Sequence, residues 1–184
     1  MKVMLCLPGT AYSREFLLAW TDMVMQLART HEISVSQHLT RSLCVGNSPV
    51  FNGQDYDAAL FIDPNILFTI DDVRNLLESP RDVTAGIYMT PSLQTFDVIR
   101  VFNEDFMKKD GHYKFLKPQD IEGASQYMKV DYTGLGFLLL KKGVIESYNG
   151  SILDMNDPMT FCKNLPDIYV DTKIRVGNQQ LMIL

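Results

Sequence analysis

The sequence has few of the residues that build disulfide frameworks and zinc sites. It contains three cysteines and three histidines among 184 residues. Cys6, Cys44 and Cys162 are odd in number and lack CxxC spacing, so neither a disulfide framework nor a zinc site is predicted. Unpaired thiols are typical of reducing compartments. We therefore expect a cytoplasmic protein.

Long apolar runs and an excess of positive charge are also missing. No apolar stretch approaches the ~20 residues of a membrane span, and the run from Val3 to Leu7 is too short for the core of a signal peptide. A formal net charge of −5 argues against a protein that binds nucleic acid through general phosphate attraction. We expect one domain over residues 1–184, with no membrane span and no nucleic-acid partner.

The first half of the chain alternates between short apolar runs and helical patterns. Val3 to Leu7 and Ala58 to Ile62 are predicted strands, and Thr69 is the predicted N-cap of the helix after the second one. "DVTAGIYM" is a further strand. Strands that alternate with helices are typical of a parallel sheet. The sequence therefore predicts an α/β fold with a central mixed, mostly parallel sheet flanked by helices.

The second half has a different pattern. "FDVIRVFNEDFMKKDGHYKFLKP" predicts short antiparallel strands with a turn at Asp110-Gly111. Gly136 to Leu140 returns to a core strand, and Pro158 lies in the first turn of a predicted helix.

Polar residues follow several of the predicted strands. In open parallel sheets, ligands bind beyond the carboxyl ends of the strands. The loops at these ends are Pro8-Gly9-Thr10, Asp63-Pro64-Asn65 and Tyr88 to Ser92. A carboxylate such as Asp63 can hold Mg²⁺ or Mn²⁺ together with substrate phosphates. A turn or helix-capping role is the alternative for this aspartate.

The stretch "YDAALFIDPNILFTIDDVRNLLESPRDVTAGIY" resembles the segment of GT-A-fold glycosyltransferases that carries the metal-binding D-x-D motif. "DYTGLGFLLLKKGVIE" and "NDPMTFCKNLPDIYVDTKIRVGN" are similar to later segments of that family. The resemblance implies a GT-A (Rossmann-like) fold, with a nucleotide-binding half at 1–90 and an acceptor-side half at 91–184. The type encoded by large DNA viruses of algae is one possibility, in which case the compartment would be the host cytoplasm.

The resemblance implies transfer of a sugar from a nucleotide-sugar donor, most simply a UDP-sugar, to a saccharide or glycan hydroxyl. The implied cofactor is Mn²⁺ or Mg²⁺, with the ligands Asp63, Asn65 and Asn178. The implied nucleotide-binding residues are Pro8, Gly9, Thr10, Tyr12, Arg41, Ile62 and Asp63. Asn65 and Asn178 stand where the family has an acid and a histidine, and amides bring no charge. We therefore expect weak metal binding without nucleotide.

Some residue roles have alternatives. Tyr12 is expected either to stack on the base or to pack at a helix start, and Arg41 either to contact the nucleotide or to form a surface ion pair. Asp157 is the implied base of an inverting reaction, yet an Asp before Pro is also a common helix N-cap. Asp131 is the second candidate for the base and Asp154 the third.

Two rival functions remain at the level of sequence. A catalytically inactive domain that binds nucleotides or glycans is favoured by the two asparagine replacements. A nucleotidyltransferase should have a Gly-rich loop with Arg or Lys after the first strand, whereas "PGTAYSRE" has one glycine and no lysine.

Overall fold

A seven-stranded sheet runs through the centre of the computed structural model, which describes residues 1–46, 55–148, 155 and 157–179. In spatial order its strands are β2 (Glu32–His38), β1 (Lys2–Pro8), β3 (Ala58–Ile62), β9 (Phe137–Lys141), β5 (Val83–Ile87), β10 (Ile168–Arg175) and β7 (Tyr127–Val130). The strands β7 and β9 run antiparallel to their neighbours, and the other five share one direction. The predicted mixed, mostly parallel sheet is confirmed.

Two small antiparallel pairs lie beside the main sheet. They are formed by β4 (Ile66–Leu67) with β11 (Gly177–Asn178), and by β6 (Val98–Ile99) with β8 (Tyr132–Thr133). Both pairs join segments that are distant in sequence. They therefore tie the loops beyond the main sheet to one another.

Helices connect and cover the strands. They are α1 (Arg14–Leu27), α2 (Arg41–Gly46), α3 (Ile70–Leu77), α4 (Glu104–Asp110) and α5 (Pro158–Asn164), with 3₁₀ turns at Pro118–Ile121 and Glu146–Tyr148. Thr69 caps α3 in a capping box with Asp72, as the sequence predicted for its N-cap. Within the described ranges, no helix has both the length and the apolar character needed to cross a membrane.

Apolar side chains fill both faces of the sheet. Along β1, Val3 and Leu5 pack on one side with residues of α1 and α3, while Met4 and Cys6 point to the opposite cluster, which includes residues of α5. This alternation follows from the two-residue period of a strand. A sheet buried on both faces by helices and loops is the layered arrangement of an α/β protein, so the Rossmann-like fold class is confirmed.

The segment predicted as short antiparallel strands does contain one, β6, which pairs antiparallel with β8, but the turn predicted at Asp110-Gly111 is wrong. The segment contains α4, and Gly111 ends this helix in the left-handed conformation with φ 75°. The Asn103 side chain accepts a hydrogen bond from Phe106 N, 2.8 Å away, at the helix start. Acidic residues in the first turn and lysines in the last turn favour the helix dipole. These end signals outweigh the Asp-Gly turn pattern, because Gly is also the commonest residue just beyond a helix.

Candidate functional site

The loops that follow β1 and β3 touch each other. Gly9 has φ 105°, a conformation that favours glycine, and a Cβ at this position would lie 3.2 Å from Pro64 Cγ. Gly9 N also donates a hydrogen bond to His38 O, 2.8 Å away, at the end of β2. The carboxyl ends of three neighbouring parallel strands therefore meet at one place, as the sheet topology requires.

A cavity of about 230 Å³ opens at this edge of the sheet. Its lining comprises Arg41, Asp63, Asn65, Tyr88, Met89, Thr90, Pro91, Asp97, Gly134, Leu135, Pro158 and Asn178. Segments from both halves of the sequence contribute to it. The structure thus brings together four residues that the sequence analysis had singled out at separate positions: Arg41, Asp63, Asn65 and Asn178.

An ion pair between Arg41 and Asp63 lies at the wall of the cavity. Arg41 Nη2 donates to Asp63 Oδ2, and the two side chains are 20% and 16% exposed. Asp63 Oδ1 and Arg41 Nε are buried and have no hydrogen-bond partner among the described residues. Burial raises the pKa of Asp63, and the adjacent guanidinium opposes that rise. A buried polar atom without a partner needs an explanation, and an absent ligand is one.

Asn65 and Asn178, the two predicted amide ligands, lie side by side. Asn65 Nδ2 donates to Asn178 Oδ1 over 2.8 Å. The pairing of β11 with β4 holds them there, because Asn178 is opposite Ile66 in that ladder and Gln179 N donates to Asn65 O. Their amide groups share the cavity with Asp63.

Among the described residues, no group of three or more His, Cys, Asp or Glu side chains could hold a metal, so a divalent cation at this cavity would rest mainly on the carboxylate of Asp63. Asp63 Oδ1 has no protein partner in the described ranges, but it is buried, so a cation would reach it only if neighbouring groups moved. Asn178 Oδ1 already accepts from Asn65, so the amides are weaker ligands. Oxygen ligands of this kind suit Mg²⁺ and Mn²⁺, which keep water and substrate phosphates in their remaining positions.

Asp97 is a second acid in the cavity, and the sequence analysis missed it. Tyr132 Oη donates to Asp97 Oδ1 over 3.1 Å. Gly136 N donates to Tyr88 Oη, also over 3.1 Å. Burial raises the pKa of Asp97, and the neighbouring hydroxyls of Tyr132 and Tyr88 oppose that rise. The signal in the sequence was a lone acid within the apolar run "FDVI".

Gly134 allows this arrangement to form. A Cβ added to Gly134 would overlap both the Tyr88 hydroxyl and Asp97 Oδ2. Gly134 N also donates to Asp97 O over 2.7 Å, which fixes the backbone of the two segments against each other. Any larger residue at position 134 would therefore displace the polar wall of the cavity.

Asp157, the first candidate for the base, is the N-cap of α5. Its Oδ1 accepts from Met159 N over 3.1 Å, and its Oδ2 accepts from Thr160 Oγ1 over 2.7 Å. The bonds from Thr160 are the main cause of the lowered pKa of Asp157. The carboxylate is exposed, while the adjacent Pro158 lines the cavity. The capping role is thus realised, and the role as a base stays a prediction.

Asp131, the second candidate, lines a different cavity. That cavity has a volume of about 330 Å³ and lies between β7 and α5. Asp131 Oδ2 accepts from Phe102 N over 2.7 Å. The structure therefore does not bring Asp131 and Asp63 to one site. Asp154 lies outside the described residues.

The remaining residues of the predicted nucleotide site differ in their environments. The Tyr12 ring stacks on Phe16 with centroids 5.6 Å apart, and its hydroxyl donates to Gly9 O over 2.7 Å, so the packing role at the helix start is realised. Thr10 is exposed beside it, and Pro8 ends β1. Ile62 is 0% exposed, backbone and side chain together, so the structure does not place it where it can contact a nucleotide.

Comparison with known proteins identifies a shared fold. No protein-family profile and no curated protein matches the sequence. The chain is similar to the solved structure titled "Crystal Structure of A197 from STIV", with a TM-score of 0.63 and 16% sequence identity. The similarity covers 96% of this chain and 84% of A197. At this identity the likeness extends to the fold alone, so the function of the cavity has to follow from the residues of this chain.

Proposed function

We propose that this chain is a GT-A-type glycosyltransferase that takes a nucleotide-sugar donor, most simply a UDP-sugar. The sugar would be transferred to a hydroxyl of a saccharide or glycan. The observation that carries the proposal is Asp63. This acid follows β3 directly, is largely buried, and has one carboxylate oxygen without a partner in the described part of the chain. The site lies where α/β sheets bind ligands, beyond the carboxyl ends of parallel strands.

The charges of the cavity suit a diphosphate. Arg41 offers a planar guanidinium whose buried Nε has no described partner, and such a fork can bind phosphate oxygens. Asp63 would hold Mn²⁺ or Mg²⁺, with Asn65 and Asn178 beside it. When bound, such a cation would supply Lewis-acid stabilisation for a departing diphosphate. The loop from Pro8 to Tyr12, which contacts Pro64 through Gly9, would border the nucleotide.

The transfer itself exchanges one bond at the anomeric carbon. The acceptor oxygen bonds to that carbon, the bond from the carbon to the diphosphate oxygen breaks, and its electron pair leaves with UDP. The proton of the acceptor hydroxyl passes to a carboxylate if the reaction inverts the anomeric centre. Asp157 is the proposed base by resemblance. Its cap bonds would have to loosen for that role, since both of its oxygens accept hydrogen bonds within α5.

Titration of UDP with and without Mn²⁺ tests the proposal. Isothermal calorimetry should show UDP binding that strengthens at least about tenfold with Mn²⁺, a change of about 1.4 kcal/mol. Asp63→Ala should abolish the metal-dependent part of this binding. Asp22→Ala is the matched control, because Asp22 is exposed on α1 and does not line the cavity. Absence of UDP binding to the wild-type protein would contradict the proposal.

A domain that binds nucleotides or glycans without catalysis is the second candidate. The observation that favours it is the ion pair, because Arg41 already neutralises Asp63. The other two predicted metal ligands, Asn65 and Asn178, are uncharged amides that bond to each other. Such a domain should bind UDP equally well with and without Mn²⁺. It should also leave a UDP-sugar intact when an acceptor glycan is added. Release of UDP in that assay would exclude the non-catalytic alternative.

A further inference from the structure

The strand β2 forms one edge of the central sheet, and among the described residues only β1 pairs with it. Glu32 N donates to Met1 O, and His38 O accepts from Gly9 N, so the even-numbered residues of β2 bond towards β1. Successive residues of a strand direct their backbone groups to opposite sides. The three odd-numbered residues of β2 therefore direct their N–H and C=O groups to the outer side.

The edge at β2 lacks the features that usually prevent an edge strand from pairing. Such features are a short strand, a lysine, a proline or a bulge. The opposite edge strand, β7, has four residues and carries Lys129. In contrast, β2 has seven residues with no lysine and no proline, and its ladder with β1 has no register shift. The outer side of β2 is therefore suited to pair with another strand.

Two half-exposed apolar side chains lie near this edge on one face of the sheet. Val35 is 53% exposed and is opposite Leu5, which packs in the same cluster as residues of α1. On α1, Gln26 Oε1 accepts from Arg74 Nη2 of α3 over 2.8 Å, and α3 packs on β5 and β10, so this flank of α1 faces the middle of the sheet. Leu17 is about two and a half turns from Gln26, so it lies on the flank towards β2, where it is 47% exposed.

The sequence of β2 is complementary to itself in the antiparallel direction. An antiparallel pair centred on Val35 uses all seven residues of each copy. The pairs across the two-fold axis are then Val35 with Val35, Glu32 with His38, Ile33 with Gln37, and Ser34 with Ser36. A carboxylate faces an imidazole at both ends, and no like charges meet. The odd-numbered residues become the hydrogen-bonded pairs of the ladder, so all their outward backbone groups gain partners.

We propose that the protein forms a two-fold symmetric dimer in which the β2 strands of two copies pair antiparallel, centred on Val35. The main sheet continues from one copy into the other, and the same surface of each copy forms the interface. Because the strands run in opposite directions across the axis, the two cavities beside Asp63 lie at opposite edges of the joined sheet. This inference is independent of the proposed function.

Sedimentation velocity at about 1 to 100 µM tests whether the dimer forms. The wild-type protein should reach twice the 21.0 kDa of one chain. Val35→Lys places two ammonium groups across the axis and should weaken the dimer at least about tenfold. Val101→Lys is the matched control, because Val101 is 64% exposed and lies between β6 and α4, so it should leave the dimer unchanged. Circular dichroism checks that both variants fold.

Cross-linking tests the register of the pair. In Val35→Cys the two Cα atoms across the axis should be about 5.5 Å apart, a distance that a disulfide spans. In Gln37→Cys the two positions are four residues apart along the ladder, roughly 13 Å, which a disulfide cannot span. With oxidised glutathione, Val35→Cys should therefore give a covalent dimer on a non-reducing gel, and Gln37→Cys should not. The three native cysteines are buried.

Several results would overturn the inference. One is a protein that stays monomeric up to about 100 µM. Another is a dimer that Val35→Lys does not weaken, since the two copies would then meet through another surface. A third is cross-linking of Gln37→Cys as readily as of Val35→Cys, or no cross-linking of Val35→Cys. The cross-linking comparison remains decisive if Val35→Lys does not fold.

Discussion

Two cavities of this protein are lined by carboxylates and cationic side chains. These groups differ between the cavities in burial and in how many of their hydrogen-bonding atoms have partners. In the cavity beside β3, the ion pair of Arg41 and Asp63 is mostly buried, and each partner keeps one buried atom without a described hydrogen-bond partner. In the larger cavity between β7 and α5, Lys129 Nζ lies 2.5 Å from Asp167 Oδ1, and these side chains are 58% and 62% exposed. Lys163 there lies over the Phe102 ring, 5.2 Å from its centroid.

The difference indicates which of the two cavities is the better candidate for a ligand site. Exposed charges are satisfied by water and by each other, so the ion pair of the larger cavity needs no ligand to satisfy it. Buried charges with unmet hydrogen-bonding capacity are unfavourable unless something else contacts them. Polar groups in this state concentrate at functional sites. The two cavities therefore differ in whether their charged groups are buried with unmet hydrogen bonds, and this difference matters more than their volumes.

Removal of Arg41 should have the largest effect on stability. Arg41→Gln leaves the Asp63 carboxylate buried without its counter-ion, and we expect the free energy of unfolding to fall by about 2–4 kcal/mol. Urea denaturation followed by circular dichroism measures this change. Arg41→Lys is the matched control, because it keeps the charge but loses the planar fork, so its loss should be smaller.

A double variant checks the cause of that effect. Arg41→Gln combined with Asp63→Asn removes both charges and should recover most of the stability that Arg41→Gln loses. If the losses of the two single variants simply add, the two side chains are not coupled. The contrast between the two cavities would then have lost its physical basis.

Asp97 should give a smaller effect that depends on pH. Burial raises the pKa of Asp97 above its ordinary value of 3.8, so the folded state keeps this proton to a higher pH than the unfolded state does. The stability from this group is therefore fully present below about pH 3.8 and is lost as the pH rises through the folded-state pKa. The Asp97→Asn variant has no ionisable group at this position, so it does not lose stability in this way as the pH rises.

The measurement is the difference in unfolding free energy between Asp97→Asn and the wild type, from about pH 3 to about pH 8. The difference should shift in favour of the variant as the pH rises and then level off. Asp63 titrates in both proteins, so its contribution cancels to first order. A difference that does not change with pH would show that ionisation of Asp97 has no cost in the fold.

The sequence was sufficient to place Asp63 at the end of a strand, but not to predict that Asp97 lies in the same cavity. Ala58–Ile62 is an apolar run that ends at Asp63, and a helix pattern follows, so the position of this acid at a strand end could be predicted. Asn178 could be placed near it only through resemblance. The β4–β11 ladder that joins the two regions is two residues long, which is too short to give a periodic signal.

Asp97 could not be placed because its surroundings come from distant parts of the chain. Tyr88 follows β5 and Tyr132 belongs to β8. Gly134 lets Tyr88 and Asp97 approach, because a Cβ at this position would overlap both. No local pattern reports such a meeting of three segments. The error at α4 has the opposite origin: Asp110-Gly111 is a local signal that serves both a turn and a helix end, and the residues before it decide between the two.

The smallest effect is expected at the edge of the sheet. Lys129→Gln removes the exposed ion pair with Asp167, and we expect no change in the urea midpoint or in UDP affinity beyond experimental error, because water and salt already screen these charges. Comparison at about 0.02 M and 0.5 M NaCl makes the test stricter, since any contribution of the pair should appear only at low salt. A loss as large as that of Arg41→Gln, or one that persists at high salt, would mean that burial and unmet hydrogen bonding do not distinguish the two cavities. The cavity beside Asp63 would then no longer be the preferred ligand site of the two.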